Sequence, residues 1–75
     1  MAYFAQFYQR RDSGLLVEAC GDRSVIRLDG RMRQLRMEEA AEEECKKRGY
    51  AAWQLIRGES LLRAKPLTPA VPLCY

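Results

Sequence analysis

The sequence predicts a small α+β domain, an antiparallel sheet of four to five strands with one helix packed on one face (β-β-β-β-α-β order) and an extended Pro-rich C-terminal arm. Three observations carry that expectation. Residues 2–35 fall into short runs of alternating side-chain character separated by turn residues, residues 37–48 have strong helical propensity ending at a glycine, and Pro66, Pro69 and Pro72 recur at every third position. Seventy-five residues suffice for one hydrophobic core and not for two, which assigns 1–62 to a single domain and 63–75 to the arm. With 48% apolar and 31% charged residues, the chain has the balance of a folding sequence rather than a disordered one.

Ala2–Gln9 (AYFAQFYQ) is rich in aromatics and reads as a strand with Tyr3, Ala5 and Phe7 on one face and Phe4, Gln6 and Tyr8 on the other. Asp12-Ser13-Gly14 is turn chemistry, and Leu15–Cys20 follows as a second strand, with Glu18 expected to face inward. Gly21-Asp22 turns the chain into a third strand, Arg23–Leu28. Asp29-Gly30 is the strongest short hairpin signal, so a fourth strand is expected at Arg31–Leu35, entered through a bulged loop that turns Met32 inward and keeps the arginines out. Met37–Arg48 is the helix, buried through a narrow stripe of Met37, Ala40, Ala41 and Cys45, with Gly49 as its left-handed cap. Tyr50–Arg57 is the fifth strand, expected in the centre of the sheet, and Leu61-Leu62 adds a short edge strand or a helical turn. Beyond it the prolines, which lack an N–H and fix φ, argue against regular sheet.

Histidine is absent, which removes the commonest general base, the commonest metal ligand and the Ser-His and Cys-His nucleophile arrangements. Cys20, Cys45 and Cys74 are widely separated and include no C-x-x-C pair, so neither a disulfide framework nor a zinc knuckle is encoded. Cys45, late in the helix and beside glutamates, is expected to be a weakly nucleophilic core thiol, and Cys74 the exposed one. The expectation is therefore a non-enzymatic protein without cofactor or metal, cytoplasmic and without a membrane span.

Three surfaces compete as binding sites. The helix carries Glu38, Glu39, Glu42, Glu43 and Glu44 ahead of Lys46, Lys47 and Arg48, so that Glu42–Lys46, Glu43–Lys47 and Glu44–Arg48 fall at i, i+4 in the favourable order of a solvated face, while Glu38, Glu39, Glu42 and Glu43 would alternatively offer an acidic face to a protein partner. Tyr3, Phe7, Tyr8 and Trp53 form a candidate aromatic sheet surface for the same purpose. Outside the helix ten Lys and Arg stand against five acids, and Arg27, Arg31, Arg33 and Arg36 would make a basic strand surface for nucleic acid, the alternative function. The arm, with Arg63-x-x-Pro66-x-x-Pro69, has the spacing of a polyproline ligand, but its simpler role is to pack Leu67, Val71, Leu73 and Tyr75 along the domain or to cross to a second copy in a homodimeric structural subunit.

Strand hairpins followed by an alanine-rich charged helix, Gly49-Tyr50 and the strand AAWQLIRG give Ser24–Gly58 a layout similar to that of small phage- and prophage-encoded orphan proteins, among them some anti-CRISPR inhibitors. The resemblance implies stoichiometric binding that blocks a host complex.

Overall fold

The organising strand is the first one. In a computed structural model that describes residues 1–73, β1 (Ala2–Arg10) pairs through residues 2–8 with β4 (Ala52–Gly58), while its other side is shared by β3 (Val25–Leu28), beside residues 3–6, and β2 (Leu16–Glu18), beside residues 8–10. β4 is paired in turn along its outer side by two short strands, β5 (Lys65–Pro66) and β6 (Val71–Pro72). All pairings are antiparallel, and one helix, α1 (Gln34–Arg48), crosses one face. The expected α+β class, with its single helix on an antiparallel sheet, is what the chain forms. The expectations for Cys74 and Tyr75 fall outside the described residues.

The core follows from strand alternation. Tyr3, Ala5 and Phe7 lie opposite Arg57, Leu55 and Trp53 in the β1–β4 register, so these residues share a face, and α1 lays Met37, Ala41 and Cys45 against it. Ala5, Phe7, Ala41 and Cys45 are completely buried. Ala40 packs at the margin of this stripe, and the small side chains allow the helix to sit close to the sheet. Gly49 ends the helix at φ 78°, its N–H reaching back to the carbonyls of Cys45 and Lys46.

Two expectations about element order do not hold. Arg31–Leu35 is not a strand: Asp29-Gly30 does turn the chain, with the Met32 N–H donating to the Asp29 carbonyl at 3.1 Å and the Arg31 N–H to Asp29 Oδ1 at 2.9 Å. Gly30, however, does not take the positive φ that a two-residue hairpin or a glycine bulge requires, and the chain leaves the turn into α1, three residues ahead of the expected helix start. Met32 still turns inward against the core, and Arg33 caps the helix without a side-chain hydrogen bond. The earlier start also puts no acid in the first helical turn.

The C-terminal stretch is not free of sheet. Proline cannot donate to a ladder, so each of β5 and β6 is only two residues long, and both lie at the edge. Between and beyond them the Leu67 N–H donates to the Leu55 carbonyl at 2.8 Å, the Leu55 N–H to Thr68 Oγ1 at 3.1 Å and the Leu73 N–H to the Ala51 carbonyl at 3.0 Å. Leu73 is buried in the core. The six strands thus include two that the spacing of the prolines concealed.

Two substitutions test this packing by urea unfolding. Phe7→Ala empties the fully buried centre and is expected to cost about 3–5 kcal/mol, comparable to the whole stability of roughly 0.05–0.15 kcal/mol per residue typical of small domains; a loss under about 1 kcal/mol would contradict the assigned core. Gly58→Ala would push a Cβ to 2.6 Å from Ala64 Cα and 2.7 Å from the Arg63 carbonyl oxygen, backbone atoms that cannot step aside. It is expected to cost about 1–3 kcal/mol, as overpacking does, and an unchanged midpoint would show the β4–β5 reversal to be looser than described.

Candidate protein-binding surface

The face of the sheet opposite α1 is built by the other half of the alternation. Phe4 lies beside Ile56 and Arg27, Gln6 beside Gln54 and Val25, and Tyr8 beside Ala52 and Glu18. Phe4, Val25 and Ile56 are half-buried, whereas Arg10, Glu18 and Arg27 at the rim are exposed. An apolar centre with a charged border is the usual composition of a protein-contacting patch.

What partly covers this face is the loop from β4 to β5. It contains a 3-10 turn, Leu61–Arg63, closed by the Arg63 N–H donating to the Ser60 carbonyl at 3.1 Å. Leu61, 46% exposed, stands between two shallow clefts of about 280 and 460 Å³ that share Gln6 as a wall, one reaching Ile56 and Gln54 and the other Phe4 and Val25. Leu62 at the tip is 98% exposed. A single exposed leucine is ordinary, but here Leu61 adjoins a half-buried apolar face and Leu62 follows it at the tip of the same turn.

The floor also carries an ordered polar row. Tyr8 donates its hydroxyl to Gln54 Oε1 at 2.6 Å, and Gln54 Nε2 donates to the Thr68 carbonyl at 3.1 Å. Gln6 Nε2 donates to the carbonyls of Phe7 at 3.0 Å and Ser24 at 3.3 Å. Burial, and secondarily the Glu18 carboxylate, push the Tyr8 hydroxyl above its ordinary pKa, so it remains a neutral donor. These side chains are fixed by the fold and present a pre-organised surface.

The residues singled out in the sequence are distributed differently from expectation. Tyr3, Phe7 and Trp53 belong to the helix-bearing face, with Phe7 at 0% and Trp53 at 4% exposure, so only Tyr8 of the four lies on the open face. Within the core Phe7 stacks on Tyr50 at 5.3 Å between ring centroids, and the Arg48 guanidinium sits 5.8 Å from its centroid. Trp53 Nε1 is buried and has no acceptor among the described residues. Glu18 is exposed rather than inward-facing.

On α1, Glu39 and Glu43 are exposed and Glu38 and Glu42 half-buried. Of the three expected i, i+4 pairs only Glu44–Arg48 closes among the described residues, at 3.1 Å, while Arg36 reaches Glu39 at 3.7 Å. Arg48 also donates to the Arg23 carbonyl at 2.9 Å, tying the helix end to the turn before β3. Arg27 lies on the open sheet face, Arg31 and Arg33 in the β3–α1 turn and Arg36 in α1, so the four do not form one strand surface. The leucine loop and the Gln6–Tyr8–Gln54 row were not anticipated. The adjacent Leu61 and Leu62 after Gly58-Glu59-Ser60 were the available signal.

Among the described residues no group of three or more His, Cys, Asp or Glu side chains could hold a metal ion, and no helix is long and apolar enough to cross a membrane. Comparison with known proteins finds no matching family model, no matching curated protein and no matching solved structure.

Cys45 supplies a test of helix docking. Burial first and Glu42 second raise its thiol pKa from 9.0 to about 11. The folded state therefore holds the proton more tightly than the unfolded chain, and the resulting stability is complete below about pH 9 and lost as pH rises through about 11. Urea midpoints measured from pH 8 to 10.5 should fall more steeply for the natural protein than for Cys45→Ala; parallel curves would place the thiol in water.

Proposed function

We propose that this protein acts by binding another protein through the sheet face opposite the helix. The observation that carries the reading is the continuity of Phe4, Val25 and Ile56 with Leu61, an apolar patch bordered by Arg10, Glu18 and Arg27, with the exposed Leu62 next in sequence. Burying such leucines against a partner removes apolar surface from water at about 25 cal/mol per Å², and the fixed glutamines give hydrogen-bonding specificity at no ordering cost. The resemblance read in the sequence to small phage-encoded inhibitors would extend this proposal to stoichiometric blockade of a host complex. The acidic face of α1, with Glu39 and Glu43 exposed, is the second contact to be separated from it.

Capture from nuclease-treated native host extract, quantified by mass spectrometry, tests the reading. Leu61→Ser with Leu62→Ser should reduce capture of the partner at least tenfold while leaving the circular dichroism unchanged, because both side chains are exposed. Glu39→Lys with Glu43→Lys should leave capture intact. Equal capture by the leucine variant overturns the sheet-face reading, and loss of capture in the Glu39→Lys, Glu43→Lys variant alone moves the contact to the acidic face of α1.

A further inference from the structure

The tight reversal from β4 to β5 also lines a second cleft, which shares Pro66 with the leucine loop's cleft and takes Arg63 from the same turn. A cleft of about 470 Å³ is lined by Arg57, Arg63 and Lys65, with Glu59 as its one acid and Met1, Pro66 and Leu67 as its apolar wall. Arg57 and Lys65 are direct cross-strand partners, a like-charge opposition that destabilises a sheet. Neither meets a carboxylate among the described residues. The ion pair at this end is Arg63–Glu59, at 3.9 Å with both side chains about three-quarters exposed, and such pairs contribute little.

The backbone beneath these cations is tightly packed. Gly58 lies so close to Arg63 and Ala64 that even a Cβ would collide with their backbone, and the 3-10 turn is closed by two backbone hydrogen bonds. A lysine on an edge strand is a common guard against aggregation, which accounts for Lys65 alone. It does not account for two arginines lining the same cleft, one of them set against that lysine.

We infer that this cleft is a binding site for a small organic phosphate, its dianionic group held between Arg57, Arg63 and Lys65. The lining side chains, three cations and one acid, carry a formal excess of two positive charges, matching a phosphomonoester, which carries about −1.5 to −2 at pH 7. Arginine's planar fork suits phosphate oxygens. The volume lies within the roughly 300–1,000 Å³ of small-molecule sites, larger than the phosphate alone requires, and the Pro66–Leu67 wall offers the organic portion an apolar surface.

The test is a titration of ¹⁵N-labelled protein in low-chloride buffer with adenosine monophosphate, inorganic phosphate and adenosine, followed by amide shifts. Saturable shifts of the Arg57, Gly58, Arg63 and Lys65 amides are expected with adenosine monophosphate, weaker ones with phosphate and none with adenosine. Arg57→Gln with Lys65→Gln should weaken adenosine monophosphate binding at least tenfold; should that variant unfold, Arg63→Gln alone, at an exposed position, should weaken it about threefold. Non-saturating shifts, shifts spread equally over Arg10, Arg23 and Arg31, or binding unaltered in a folded variant would overturn the site. Equal affinity for phosphate and adenosine monophosphate would overturn the role of the apolar wall.

Discussion

Phe7 is the point on which this fold depends. It lies in the middle of the central strand, opposite Trp53 of β4, completely buried, with Tyr50 stacked on its ring and the Arg48 guanidinium close to it. One aromatic side chain thus brings together β1, the C-terminal turn of α1 and the segment that returns from the helix to the sheet. In a chain of 75 residues there is little other core to share the load. Arg48 reinforces the arrangement from outside, since its ion pair to Glu44 and its hydrogen bond to Arg23 fix the helix end relative to the turn before β3.

Once that face is filled by the helix, strand alternation leaves Phe4, Gln6, Tyr8, Val25, Gln54 and Ile56 facing the other way. Among the described residues nothing as extensive as a helix covers them; the Leu61–Arg63 turn closes only part of the surface, and the C-terminal strands extend the sheet at its edge. The two faces therefore divide the labour. One holds the domain together through aromatic and small side chains, and the other presents half-buried apolar groups around an ordered amide row.

Much of this was legible in the sequence because it depends on period and propensity. The two faces of β1, the stripe Met37, Ala41 and Cys45, the Gly49 cap and the central position of β4 all follow from local pattern. The turn at Asp29-Gly30 was also legible, but its exit was not, because φ at Gly30 decides between a hairpin and a helix and no residue name specifies it. Alternation likewise separates the faces of β1 without saying which one the helix takes, so Phe7 and Trp53 read as a contact surface while they are the core. The prolines concealed β5 and β6 because pairing interrupted every third residue leaves no period to detect.

The two borders of the sheet are unequal. Along β5 and β6, Pro66 and Pro72 remove the donors that a neighbouring strand would need, and Lys65 adds a charge. β3 has no proline, and among the described residues no further strand pairs along its outer side. A lattice or fibre of stacked sheets needs two adhesive margins on every unit. Proline at one border means that backbone pairing between copies cannot repeat through both margins, which limits the open-ended stacking that a sheet with two free edges invites.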